Sequence, residues 1–103
     1  MAKALKQRVV IAGHPIKVKV REYAVPEKKD YAGTTAYYGD YIHLSRKDPR
    51  GRLYSPAFMD ECFLHELMHQ VEARYECFIP EKKLKMMSIG LYQVLRDNRL
   101  KFW

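Results

Sequence analysis

The first half of the chain alternates apolar and polar residues, which is the pattern of strands with one buried face. Between residues 16 and 21, isoleucine or valine alternates with lysine or arginine, and this period of two predicts a half-buried strand. With the β-rich run before it and the turn residues between them, the pattern predicts a hairpin of residues 7–12 and 16–23. Residues 31–45 are dense in Tyr, Thr and Ile and are interrupted by glycines, which predicts a second pair of strands.

The second half of the chain spaces its apolar residues three and four apart, which predicts two helices. Ser55 and Pro56 have the residue types of an N-cap and a first helical position, so we expect a helix over residues 56–76. A proline followed by Glu81 opens a second helix, which is expected to end near Asn98. The expected core-facing stripes are Leu64, Leu67, Met68, Val71 and Tyr75 on the first helix and Leu84, Met87, Leu91, Val94 and Leu95 on the second.

These elements predict an α+β fold, in which a small, mostly antiparallel, twisted sheet of three or four strands packs on two α-helices. The length of 103 residues is that of one domain, and the sequence shows neither a repeat nor a linker. We therefore expect a single domain over residues 1–103. Hydrophobic residues make up 48% of the chain, which is enough for a modest core without disulfide bonds.

From the composition we expect neither a membrane-spanning nor a secreted protein. No run approaches the roughly 18 apolar residues that a membrane span requires, and the basic N-terminal segment is not followed by the apolar region of a signal peptide. Cys62 and Cys77 are fifteen residues apart, about 22 Å along a helix, whereas a disulfide allows about 7 Å between Cα atoms. Two free thiols without a signal peptide are typical of a reducing cytoplasm.

The chain is basic, with 19 Lys and Arg against 12 Asp and Glu and a formal net charge of +7. Such a surplus produces a positive field that attracts nucleic acid or acidic partners. The basic residues are, however, spread along the whole chain rather than packed in one segment. Charge alone therefore names no partner, and nucleic acid is not the favoured one.

The strongest chemical signal is a His-Glu-x-x-His motif formed by His65, Glu66 and His69 within the first predicted helix. Residues i and i+4 of a helix lie about 40° apart and one turn above each other, so both imidazoles can reach one metal ion. Glu66 points about 100° away from His65, beside the ion, where its carboxylate can take a proton from water and return it to a leaving group. Zn²⁺ is the ion that suits this motif.

A third metal ligand is required, and Glu81 is the preferred candidate. It lies twelve residues after His69, at the start of the second helix and at the border of that helix's expected inward stripe. A carboxylate directed inward there needs a partner, which a metal would supply. Glu72, Glu76 and His43 remain alternatives.

The motif and its surroundings resemble small phage-encoded and prophage-encoded zincin-like metallopeptidases, distant relatives of the ImmA/IrrE-type peptidases. The resemblance rests on residues 63–71, on Glu81, and on residues 90–98, and it covers roughly residues 31–98. It implies a twisted sheet before the active-site helix, zinc held by His65, His69 and Glu81, Glu66 as the general base, and a location in the cytoplasm of a bacterial or phage-infected cell.

The leading hypothesis is a zinc-dependent peptidase that acts on a peptide or protein. The predicted strand 41–45, just before the motif helix, is where we expect an extended peptide to pair with the sheet edge. The alternative is a non-catalytic phage or bacterial accessory protein that uses the basic fold for protein or nucleic-acid contacts. The sequence does not fix the oligomeric state.

Overall fold

The computed structural model describes residues 8–35 and 39–100, which form four strands followed by two helices. The elements are β1 (Arg8–Ile11), β2 (His14–Arg21), β3 (Gly33–Thr35), β4 (Tyr41–Ser45), α1 (Pro56–Arg74) and α2 (Glu81–Asp97). The predicted α+β fold, with a four-stranded sheet packed against two helices, is confirmed. Residue 7, the expected start of the first hairpin, lies outside the described residues.

The sheet is mixed, with the strand order β1-β2-β4-β3. β1 pairs with β2 and β3 pairs with β4 in antiparallel fashion, as expected of two hairpins. The hairpins are joined by a parallel pairing of β2 with β4. The connection from β2 to β3 passes across the end of β4, where the Ser45 hydroxyl accepts a hydrogen bond from the Ala24 N–H and donates one to the Tyr31 carbonyl. This crossing leaves β3, and not β4, at the edge of the sheet.

The core lies between one face of the sheet and α1. Its buried members are Ile11, Ile16, Val18, Ile42, Leu44 and Phe63. The core residues of β2 alternate with exposed or half-buried neighbours, as the sequence pattern predicts. In β4 the alternation holds as far as Leu44, and the following Ser45 is buried as well. Among the described elements, α1 contacts the sheet directly, whereas α2 contacts only α1. The helices therefore form two successive layers on one side of the sheet, and neither is long and apolar enough to span a membrane.

α1 begins as predicted and ends slightly earlier. The Ser55 hydroxyl accepts a hydrogen bond from the Phe58 N–H, and Pro56 occupies the first turn. The helix ends at Arg74, so Cys77 lies in the connection to α2 rather than on the helix, and both cysteines are free.

The predicted core stripes are wrong at several positions. On α1, Leu64 is buried, but Val71 and Tyr75 are 40% and 61% exposed. On α2, Leu84 is buried, but Met87, Leu91 and Val94 are exposed. The reason is packing: α2 touches only α1, so only the narrow ridge of Leu84, Ser88 and Tyr92, spaced four apart, is covered. Polar residues, among them Glu66, Gln70 and Glu72, take buried positions on α1.

A polar network fixes the edge strand against α1. The amide of Gln70, which is fully buried, donates to the Thr35 hydroxyl at 2.6 Å and to the Gly39 carbonyl at 3.1 Å. Arg74, one turn further on, donates to the Gln70 amide oxygen and to the same carbonyl. Both ends of the connection between β3 and β4 are thereby held to the helix that carries the His-Glu-x-x-His motif.

Candidate metal centre

The two histidines of the motif lie side by side on α1. One turn of helix separates His65 from His69, and their Nε2 atoms are 3.1 Å apart. The rings meet edge to face with centroids 4.7 Å apart. Both side chains are largely buried, at 18% and 14% exposure. Their ring nitrogens therefore converge on one point, as the spacing predicts.

Glu81 completes the group from the first turn of α2. Its Oε1 lies 3.0 Å from His65 Nε2, and its Oε2 lies 2.7 Å from His69 Nε2. Within the described part of the chain, His65, His69 and Glu81 form a group that could hold a metal ion, with all ligand atoms within 4.8 Å of one another. The connection of residues 75–80 produces this convergence by turning α2 back along α1.

The geometry of the group fits a small divalent ion. Ligand atoms at about 2.0–2.1 Å from a tetrahedral Zn²⁺ stand about 3.3 Å from one another. The group is on this scale: the two Nε2 atoms are 3.1 Å apart, and Glu81 places Oε1 3.0 Å from that of His65 and Oε2 2.7 Å from that of His69. With one ligand atom taken from each residue, all lie within 4.8 Å of one another. Two imidazoles and one carboxylate are also a donor set of catalytic zinc sites, in which the fourth position remains open.

Each imidazole has a partner for its other nitrogen. His69 Nδ1 lies 2.8 Å from Glu72 Oε1, and His65 Nδ1 lies 3.4 Å from the Ser88 hydroxyl. The Ser88 hydroxyl donates to the Lys85 carbonyl, which leaves its lone pairs for an N–H donor. If both rings carry their proton on Nδ1, both Nε2 lone pairs face the Glu81 carboxylate. This arrangement of ligand and supporting hydrogen bond is typical of metal-binding histidines.

Glu72 is thus a partner of a candidate ligand and does not belong to the ligand group. Its carboxylate is fully buried at 1% exposure, and its two oxygens accept from different donors: Oε1 from His69 Nδ1–H, and Oε2 from the Ile79 N–H. Glu72 therefore ties α1 to the connection that delivers Glu81.

The other two alternative ligands lie elsewhere. His43 stands on β4 against the ring of Tyr41, and Glu76 is exposed in the connection after α1 with a positive φ of 55°. Neither belongs to the metal-binding group. Ser88, in contrast, is a supporting residue that the sequence analysis did not select. The feature of the sequence that could have indicated Ser88 is its position seven residues after Glu81, which places both on nearly the same side of α2.

Glu66 lies beside the metal-binding group and against the edge strand. It is 8% exposed, and a Cβ placed on Gly33 would stand 3.1 Å from its Cγ and 3.2 Å from its Oε2. The absence of a side chain at Gly33 is therefore what allows β3 to approach this carboxylate. Burial raises the pKa of Glu66 to about 7, the His69 charge opposes that rise, and the Glu81 charge adds to it.

Two further pKa shifts bear on the chemistry. Burial lowers the pKa of His65 against the opposing effect of Glu81, which favours the neutral imidazole that can bind a metal. Burial, followed by the charges of Glu66 and Glu61, raises the pKa of Cys62 to about 12. Although Cys62 lines the same cleft, its thiol is therefore protonated at neutral pH and is not an activated nucleophile.

The group opens into a cleft of about 520 Å³ between the edge of the sheet and the helices. One wall is formed by residues 30–35, which include β3, and the other by side chains of α1 and α2. His65, Glu66, His69 and Glu81 all line it. A ligand in this cleft would therefore contact both the metal-binding group and β3, which among the described strands pairs on one side only.

Comparison of the chain with models of known protein families, with curated proteins and with solved structures found no match. The evidence for function is consequently the geometry of the candidate metal centre itself.

Proposed function

We propose that this protein is a zinc-dependent peptidase. The observation that carries the proposal is the convergence of His65, His69 and Glu81 in a cleft that is also lined by Glu66 and by the edge strand of the described sheet. Two imidazoles and a carboxylate suit Zn²⁺, which when bound activates water and polarises a carbonyl group.

Glu66 is the residue that moves the proton in this proposal. Its carboxylate takes a proton from a water molecule in the cleft, the water oxygen forms a bond to the carbonyl carbon, and the peptide C–N bond breaks. Glu66 then returns the proton to the departing nitrogen. A buried carboxylate with a pKa near neutrality is suited to carry a proton in both directions.

Gly33–Thr35 is the segment that we expect to bind the substrate. The expectation that strand 41–45 offers the edge is wrong, because β4 pairs with β2 on one side and with β3 on the other. β3 has β4 on one side only in the described sheet and lines the cleft. An extended peptide can add to its backbone as a further strand, which would carry a peptide bond past Glu66.

The first experiment measures metal content and cleavage together. The protein is purified without a histidine tag, its metal is measured per chain, and the zinc-loaded protein is incubated with a peptide library. We expect about one zinc per chain and cleavage that Glu66→Gln reduces by a factor of about 100 or more. Glu61→Gln, which alters another carboxylate of the same cleft, is the matched control and should retain most of the activity.

The outcomes separate the hypotheses. If zinc binds but the wild-type protein cleaves no peptide, the non-catalytic accessory function replaces the peptidase proposal. The control for the third ligand is Glu76→Gln, because Glu76 is an exposed acid outside the group. If Glu81→Gln binds zinc as tightly as this control, then Glu81 is not the third ligand.

A further inference from the structure

The face of the sheet turned away from the helices carries basic side chains in adjacent positions. Lys17, Lys19 and Arg21 alternate along β2 with core residues, so they project from the side opposite α1. Arg8 stands opposite Lys17 in the β1–β2 register, and His43 stands opposite Lys19 in the β2–β4 register. We define the open face as Arg8, Lys17, Lys19, Arg21, Tyr41 and His43.

Two aromatic rings stand beside these charges. Tyr41 and His43 are two residues apart on β4, with ring centroids 4.4 Å apart and planes tilted by 36°. Tyr41 is the register partner of Lys17. Partial burial lowers the pKa of His43, and the charges of Arg21 and Lys19 lower it further. The imidazole is therefore uncharged at neutral pH, and the two rings offer an aromatic surface among cations.

The strands that form this face carry no acidic residue. The four described strands contain neither Asp nor Glu. Their nearest acids in sequence each form an ion pair, Glu22 with Lys47 and Asp40 with Arg74. On the helix side, in contrast, four carboxylates line the cleft. The described strands therefore contribute only basic charged side chains to the open face.

We propose that the open face binds single-stranded nucleic acid. Arg8, Lys17, Lys19 and Arg21 would contact the phosphates, while unpaired bases stack on the rings of Tyr41 and His43. Aromatic residues on an exposed sheet are a recurrent platform for unpaired bases, whose faces are accessible in a single strand and covered in a duplex. The combination of rings and cations therefore favours a single strand over a duplex. This proposal is independent of the peptidase function.

The test is fluorescence anisotropy with a labelled oligothymidylate of about 15 nucleotides, a length within the range of known single-strand sites. If all four cations contact phosphates, the logarithmic salt slope is about −2.8, so affinity falls about fifty-fold between about 50 and about 200 mM salt. The double substitution Lys17→Ala/Lys19→Ala should halve that slope. The matched control is Lys82→Ala/Lys83→Ala, which removes the same charge from exposed positions on α2.

Tyr41 provides the second part of the test. Tyr41→Leu keeps an apolar strand residue but removes the ring, and it should weaken binding between about five-fold and about one hundred-fold. Tyr41→Phe should restore the affinity. The proposal would be overturned if the two double lysine variants lost the same affinity, or if Tyr41→Leu bound as tightly as the wild type. It would also be overturned if the wild type bound a duplex of the same length as tightly as the single strand. Circular dichroism of every variant verifies that the sheet is folded.

Discussion

Replacement of Glu72 by glutamine is expected to weaken metal binding although it changes none of the three ligand residues. Both carboxylate oxygens of Glu72 accept hydrogen bonds, one from His69 and the other from the Ile79 N–H. A glutamine of the same shape has only one acceptor oxygen. Whichever way its amide is turned, an N–H donor therefore faces an NH₂ group.

The magnitude follows from burial. The side chain at this position is fully buried, and an unsatisfied buried donor costs about 1–3 kcal/mol. If the mismatch is at His69, the imidazole loses its orientation. If the mismatch is at Ile79, the connection to Glu81 loosens. Loss of such a supporting partner lowers metal affinity by about 10- to 100-fold, which is about 1.4–2.7 kcal/mol.

The assay is a competition titration of untagged, metal-free protein with Zn²⁺ against a chromophoric chelator. Urea unfolding in the presence of EDTA separately measures any loss of stability. Glu76→Gln removes the same charge four residues away from an exposed position, and it should bind zinc as the wild type does. Wild-type affinity in Glu72→Gln, or an equal loss in both variants, would refute the positioning role of Glu72.

Two further perturbations test the cleft and the core. Gly33→Ala should push Glu66 by a few tenths of an ångström, because the new Cβ would lie 3.1–3.2 Å from that side chain. We expect kcat/KM for peptide cleavage to fall about ten-fold with unchanged zinc content. The control is Gly90→Ala, which should be active because a Cβ there meets nothing within 4 Å. Burial raises the pKa of Asp60 from 3.8 to about 6, and its Oδ1 has no hydrogen-bond partner among the described residues. The folded state therefore binds the Asp60 proton more tightly than the unfolded state does, and stability is lost as pH rises from about 4 to about 6. Asp60→Asn should accordingly raise the free energy of unfolding by at most about 3 kcal/mol near pH 7.5 and hardly at all near pH 4. The free energy is measured by urea denaturation in EDTA. Equal stability of Asp60→Asn and the wild type near pH 7.5 would contradict the prediction.

Features that depend only on local geometry could be predicted from the amino-acid sequence. A helix advances about 100° per residue, so the motif spacing fixes the convergence of His65 and His69 wherever the helix packs. The alternation along residues 16–21 likewise assigns β2 its buried and exposed sides, because the side-chain period of a strand is two. The cap at Ser55 is equally local, since its hydroxyl bonds to an N–H three residues away.

The surfaces that those elements cover depend instead on how the elements pack against one another. The parallel pairing of β2 with β4 brings together residues far apart in sequence, and no local pattern encodes it. The expected stripes failed at Val71 and Leu91 because helix periodicity shows which residues share a side, whereas burial depends on which neighbour packs there. Glu72 and His43 were both alternative ligands on the sequence. Packing alone turned one toward Ile79 and His69 and placed the other on the far face of the sheet.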